Sequence, residues 1–493
     1  MKVSHFFSPL LLAAVLHGGA AHAATSQKVA CACQGLPSVV YPKDDSYPNL
    51  TTAYWDVRAN LSPSCIFLPQ SADDVASALR TLHECDSTFA IRGGGHMNFP
   101  GSNGIEEGVL VSLEHMNAIS YNERTKTVNV APGARWVDVY TSLDRVGRYT
   151  IGGRLKTIGV PGLTLIGGYH YFINKYGFTM DNVVSYEAVL GNGTKVVASR
   201  TSHPDLFWGL KGSANNLALV TNFEFSTYPI ARLSTTIQTF ADDEIENFLD
   251  ATVDFLKKSD SSVGAGGIFT ISLNSSTGLF SASLLGAQEG TSSPPSKFGS
   301  FSRLNATLRR NAVLRPVEWH SQFDTPFQAQ RIQFVSHTMK PSKTQLRYLY
   351  REWRKAILDI GDVQGLYGTF VVNLTPKSAI AVGKRNGVGN LWEDALDEED
   401  LLIWQFATSW AAASDDLRMS AWSETLAARL HAENRAKDLA HPLLYMGDAG
   451  EFQNPFQTFF SANTLRRLRK IRKEYDPVLV FTRNVWGGFK MGF

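Results

Sequence analysis

The sequence predicts an α+β protein, and three observations carry that prediction. Two glycine-rich loops, Arg92–Asn103 and Gly152–Gly168, lie among segments that alternate between strand and helix patterns. Beyond Tyr228-Pro229 the texture changes to amphipathic helices and strands of alternating polarity, the pattern of an antiparallel sheet covered by helices. At 493 residues the chain is also too long for one ordinary core.

Composition narrows the class. A hydrophobic fraction of 44% with 19% charged residues is that of a globular protein, and a formal net charge of +2 argues against a dedicated nucleic-acid binder. The basic run Arg466–Lys473 has Leu468 and Ile471 at helical spacing and reads as a helix with a solvated face. Lys2, the apolar run Phe6–Leu16 and the A-x-A pattern Ala21-His-Ala23 read as a secretory signal peptide over 1–23, and no later segment is apolar for long enough to span a bilayer. Localisation is therefore expected to be secreted or in the secretory lumen. The four cysteines, Cys31, Cys33, Cys65 and Cys85, then read as two disulfides tying the N-terminal segment 24–60 to the first domain, with the pairing open. Sequons at Asn49, Asn60, Asn192, Asn274, Asn305 and Asn373 fit a secreted glycoprotein.

In order, Ser71-Ala-Asp-Asp74 before Val75, Leu79 and Leu82 starts a helix, and Phe89–Arg92 is a buried strand end. Gly108–Leu113 and Thr127–Val130 are strands, and Ala134–Val146 repeats apolar residues at helical spacing. Tyr186–Leu190 and Lys195–Ala198 flank Asn192-Gly193 as a hairpin, and Pro204–Trp208 opens a helix before a strand over Leu217–Phe225. Farther on, Asp242–Lys257, Ser342–Ile360 and Asp416–Glu433 are helical, while Ile268–Leu273, Gly278–Leu284, Gly368–Asn373 and Leu401–Trp410 are strands. No internal repeat is visible.

The chemistry centres on Arg92-Gly93-Gly94-Gly95-His96, which continues to Gly101-Ser102-Asn103. Consecutive glycines expose backbone N–H groups and allow close approach of a ligand, so this hairpin suits a phosphate-bearing cofactor with an imidazole at its tip. Pro132-Gly-Ala-Arg-Trp136, Gly152-Gly-Arg154, Gly159-Val-Pro-Gly162-Leu-Thr-Leu165, Gly167-Gly168, Tyr176-Gly, Asp181-Asn-Val183, Asp205-Leu-Phe-Trp208, Val220-Thr221, Asn463, Tyr475-Asp-Pro477 and Gly487-Gly-Phe-Lys490 follow in order. Together they closely resemble the secreted fungal FAD-linked oxidoreductases of the berberine bridge enzyme-like family, over nearly the whole mature chain.

The resemblance implies a PCMH-type FAD-binding domain of two α/β subdomains over 61–229, an inserted antiparallel-sheet substrate cap over 230–440, and a segment 441–493 returning to the FAD domain. It implies FAD, with cofactor contacts from Arg92 to His96, Gly101, Ser102, Asn103, Gly159, Gly162, Gly167, Gly168, Val220 and, near the flavin ring, Asn463. In bicovalent relatives a cysteine stands shortly before the Gly-Val-Gly-Gly segment, here Gly159-Val-Pro-Gly162; Leu155 stands at that position, so the expected link is through His96 only. Where the family usually has glycine, this chain has Pro161, Ile166, Ser213 and Ala218. Each adds a Cβ where backbone runs close to FAD or takes φ > 0.

In the family a substrate hydride passes to flavin N5 while a base takes the hydroxyl or amine proton. Three candidates for the catalytic part follow. Gln405 resembles a flavin-facing position, and strand alternation puts it opposite Trp404, Phe406 and Thr408; an amide orients substrate but is not a base. Tyr445 resembles a tyrosine near the active site, with Gly447 where asparagine is usual, and needs a nearby cation or ring stacking to act as a base. The third is His170, after the second glycine loop, because the unperturbed pKa of a histidine suits proton transfer. The expected function is an FAD-dependent oxidase of a small secondary metabolite, alcohol or sugar, with dioxygen as partner and no metal, nucleic acid or stable membrane anchor. The alternatives are a non-redox cyclase or isomerase on the same fold, and a secreted binding protein with a vestigial flavin site.

Overall fold

The computed structural model describes residues 25–257, 262–323, 330–385, 387–393, 396 and 399–492. The signal-peptide segment and its cleavage pattern lie outside them.

Three sheets organise the chain. The first is parallel, with Val109–Ser112 between Cys65–Phe67 and Phe89–Arg92. The helix that feeds it, Ala72–Glu84, begins on a reciprocal cap between Ser71 and Asp74, as the sequence predicts. The second sheet is antiparallel, in the order Ile119–Asn122, Thr127–Val130, Leu219–Ser226, Val183–Val189, Lys195–Ser199. Cys33–Cys65 and Cys31–Cys85 bridges fix the N-terminal helix 25–35 to the first sheet and to the end of the helix Ala72–Glu84, which settles the pairing left open by the sequence.

The third sheet has eight antiparallel strands, in the order Ala306–Leu314, Leu233–Phe240, Leu279–Glu289, Ala265–Asn274, Tyr367–Thr375, Leu401–Trp410, Arg331–Met339, Ala440–His441. Its two faces go to different cores. Phe370, Trp404, Phe406 and Trp410 pack under the helices Ile245–Lys257, Lys343–Leu358 and Asp416–Ala436. Leu401 and Ile403, on the other face, join the core shared with the second sheet and the second glycine loop. Burying a side chain of this size contributes roughly 1.5–3 kcal/mol, so the alternation along Leu401–Trp410 fixes which face Gln405 shares. After the last cap strand the chain returns: Trp486 N–H donates to Phe89 O at 2.6 Å, and the helix Ala462–Tyr475 packs against Pro204–Leu210.

Candidate functional site

The strand Phe89–Arg92 ends on the first glycine loop. The N–H groups of Gly94, Gly95, Met97, Asn98, Gly101 and Asn103 have no acceptor among the described residues. Nor do the buried Oδ1 atoms of Asn98 and Asn103 have a donor. Buried backbone donors are normally paired, so such a cluster marks a place where an acceptor from outside the chain belongs. His96, at the tip, stacks on Trp55 with ring centroids 4.8 Å apart. Arg92 turns away from the loop: its buried guanidinium donates to Leu50 O, to Ser112 Oγ and to Glu114, and braces the strand end. Arg135 is the cation nearer the loop, donating to Gly94 O at 3.1 Å and to Thr157 O.

The second glycine loop lies against the first. A Cβ built on Gly94 would sit 2.6 Å from Gly159 Cα, so the backbones touch there and only glycine fits. Pro161 occupies the first turn of the short helix Val160–Thr164, where its missing N–H costs nothing, and its ring packs on Gly93. Of the four positions that depart from the glycine pattern, none takes a positive φ; the non-glycine residue that does in this region is Ala214, at 55°. The φ concern raised by the sequence therefore does not apply to Pro161, Ile166, Ser213 or Ala218, although Ser213 buries an unpaired hydroxyl. Gly167 and Gly168 do take positive φ, 109° and 87°, and turn the chain into Tyr169 and His170.

His170 is buried in a closed chain of hydrogen bonds. Its Nδ1 accepts from Phe172 N–H at 3.0 Å, which leaves Nε2–H to donate to Tyr149 Oη at 2.7 Å. Tyr149 then donates to His320 Nε2 at 2.6 Å, and His320 Nδ1–H donates to Arg154 O at 3.0 Å. The two backbone ends thus dictate both tautomers. Burial holds His170 well below the ordinary histidine range and His320 at about 4, so both rings are neutral at physiological pH.

A second polar chain is open. Arg154 donates to Asn373 Oδ1 at 2.9 Å, and Asn373 Nδ2 donates to Asp448 Oδ2 at 2.7 Å. Burial raises Asp448 to about 6, against the lowering pull of Arg154 and Asn373. Asn98, on the first loop, donates to Ala449 O at 3.2 Å and so joins that loop to the Asp448 turn. Tyr445 begins the turn; its ring meets Tyr169 edge-on with centroids 4.7 Å apart. The ring folds back over Gly447, where a Cβ would come within 2.5 Å of it, which explains glycine at a position where the resemblance leads one to expect asparagine. Burial and the Asp448 charge both push the Tyr445 phenol far above its ordinary value. Gln405 pairs with Val371 on the face that also bears Asn373 and is 4% exposed, and its side-chain amide forms no hydrogen bond among the described residues. Beside it across the strands, Ser336 Oγ is buried and unpaired.

The FAD binding domain family matches residues 63–199. The chain is 29% identical over 489 residues to the FAD-dependent monooxygenase prx3 of Penicillium roqueforti, covering 95% of each chain. It is 28% identical over 480 residues to the bifunctional solanapyrone synthase of Alternaria solani, covering 96% of this chain and 90% of that one. Among solved structures it superposes on the xylooligosaccharide oxidase of Myceliophthora thermophila with a TM-score of 0.75 at 19% identity, over 94% of this chain and 98% of that one. The glucooligosaccharide oxidase of Acremonium strictum gives 0.73 at 18% identity, over 94% and 97%. The chain carries an FAD binding domain and is similar over nearly its whole length to FAD-linked oxidoreductases.

Its cofactor is FAD, and the first loop fits it: unclaimed N–H donors backed by the Arg135 guanidinium suit a pyrophosphate. Of the other residues expected to contact FAD in this oxidoreductase, Ser102 is buried on that loop, its hydroxyl donating to Phe99 O. Gly162 faces open space, and Val220 is buried in Leu219–Ser226. Asn463 stands apart, exposed on the first turn of the C-terminal helix with Oδ1 taken by Arg466. Sequence reasoning missed Asp448, Asn373 and Arg135 as site residues. Asp448 had one signal in the sequence, an acidic residue three places after Tyr445.

Proposed function

We propose that this FAD-linked oxidoreductase is an oxidase of a small secondary metabolite, alcohol or sugar, that dioxygen accepts the electrons, and that FAD is tethered by one covalent bond, through His96. Bound FAD supplies hydride acceptance and electron transfer. The chain's own part is to hold the cofactor on the two glycine loops and to orient and deprotonate the substrate from the cap.

The observation that carries the single link is the cysteine inventory. All four cysteines are in disulfides, so no thiol is left for a second bond to the flavin. The Acremonium strictum glucooligosaccharide oxidase, by contrast, is described with a 6-S-cysteinyl, 8α-N1-histidyl FAD. The substrate class draws on relatives named for secondary-metabolite synthesis and oxidation, and on sugar oxidases of the same fold. The unclaimed loop donors and the FAD binding domain match do not favour a non-redox cyclase or a flavin-free binding protein.

The reading extends to a secreted glycoprotein. Two disulfides fit that compartment, and no helix among the described residues is long and apolar enough to cross a membrane. Asn49, Asn192, Asn274 and Asn305 are exposed and available for glycans. Asn373, 2% exposed and bonded to Arg154 and Asp448, is not.

The test is to denature purified protein in acid and look for flavin fluorescence on the polypeptide. Wild type is expected to keep it and His96→Ala to lose it; a wild-type protein without flavin would overturn the proposal.

A further inference from the structure

We propose that Asp448 is the base that takes the substrate's hydroxyl proton, in place of Tyr445, Gln405 or His170. The inference rests on the oxidase reading above. Three walls of the site converge on this carboxylate. The cap strand reaches it through Asn373, which binds Oδ2 at 2.7 Å. The first glycine loop reaches the next residue through the bond from Asn98 to Ala449 O. The second loop brings Arg154, which holds Asn373, and Tyr169, whose ring covers Tyr445.

Only one of the carboxylate oxygens is claimed. Oδ1 has no donor among the described residues, although Asp448 is 8% exposed. A buried carboxylate with one oxygen held and the other open is oriented and still able to accept a proton. The titratable and charged groups around it are Arg154, Tyr169 and Tyr445. The Arg154 cation favours the carboxylate, and burial works against it.

The alternatives are worse placed. His170 has both ring nitrogens committed within the chain. Gln405 has no basic atom of useful strength. A Tyr445 phenolate would have to form beside the Asp448 carboxylate, so the two cannot both be anionic without a large electrostatic cost.

In the step itself the O–H proton of a neutral alcohol passes to Asp448 and the carbinol C–H bond breaks, its electron pair leaving as hydride to the cofactor. The organic product is the carbonyl compound. Dioxygen then takes the two electrons and two protons and leaves as hydrogen peroxide.

The test needs no knowledge of the natural substrate. Sulfite adds to oxidised flavin at the position that receives hydride, and a nearby anion weakens that addition. The holoprotein is titrated with sodium sulfite at pH 5 and pH 8, following the loss of visible flavin absorbance. Asp448→Asn is expected to bind sulfite at least about tenfold more tightly than wild type at pH 8 and within about threefold at pH 5, where Asp448 is largely neutral. Asp448→Glu should retain the wild-type pH dependence, and Tyr445→Phe should leave it unchanged. Equal sulfite affinities of wild type and Asp448→Asn at pH 8, with both proteins loaded with flavin, would overturn the assignment. A wild-type protein carrying no flavin would instead overturn the oxidase reading itself.

Discussion

Two buried polar chains lie at opposite ends of Arg154. The backbone carbonyl of Arg154 ends the closed one, Phe172 N–H to His170, Tyr149 and His320. Its guanidinium starts the open one, through Asn373 to Asp448. In the first every donor has an acceptor and both histidines are neutral; in the second a carboxylate oxygen, the Gln405 amide and the Ser336 hydroxyl are left over. A fully paired network stabilises and has nothing left to offer a ligand. A partly paired one is costly unless something else completes it. The comparison separates the histidine that the sequence suggests for catalysis from the aspartate that the fold puts to that use.

The closed chain is best broken in its middle. Tyr149→Phe leaves His170 Nε2–H without an acceptor and His320 Nε2 without a donor, with both tautomers still dictated by backbone. At roughly 1–3 kcal/mol for each buried group orphaned, the loss is about 2–6 kcal/mol. It should appear as a lower urea midpoint of the holoprotein, with flavin content and sulfite affinity unchanged. A variant of normal stability that has lost sulfite binding would reverse the roles of the two chains.

The chains also respond to pH with opposite sign. His320 titrates at about 4 when folded, below an ordinary histidine, so the unfolded chain binds the extra proton first. Its contribution to stability is present above about 6.5 and is lost as pH falls, by roughly 2 kcal/mol at pH 5. Asp448, raised to about 6, has the contrary slope: the folded state gains relative stability as pH falls from about 6 towards 4. His337 and His431, stacked at 3.9 Å and both lowered, add to the histidine trend. Subtracting the pH–stability curve of His320→Gln from that of wild type isolates the one residue. A flat difference between pH 7 and pH 5 would show that His320 is not held neutral.

Much of the first glycine loop and the cap was legible because local pattern and tertiary demand agree there. Thr127–Val130 and Leu401–Trp410 form with the predicted limits, and Gln405 lies on the face opposite Trp404 and Phe406. The strand Ala306–Leu314 was not legible: it is a sheet edge whose Thr307, Arg309 and Arg310 face solvent, so it carries no apolar alternation. Arg331–Met339 is hidden for a different reason, since Gln333, Ser336 and Thr338 are polar residues inside the sheet. The open polar chain was invisible because its members, Arg154, Asn373 and Asp448, are far apart in sequence and meet only where the cap closes on the glycine loops. Asn373 even carried a misleading signal, a sequon that burial makes irrelevant.

The smallest expected effect concerns Tyr445, and it bears directly on where the open chain ends. The ring is packed: edge-on to Tyr169, 6.0 Å from Trp392, and folded over Gly447. Phenylalanine keeps all of that and removes only a hydroxyl that burial and Asp448 keep protonated. One neutral hydrogen bond is worth about 1 kcal/mol, so Tyr445→Phe should change kcat/KM for any alcohol that releases hydrogen peroxide by no more than about fivefold. The fall in rate below about pH 6, set by protonation of Asp448, should remain in place. A drop of a hundredfold or more, with that acid limb gone, would make the phenol part of the proton path and extend the open chain by one residue beyond the carboxylate.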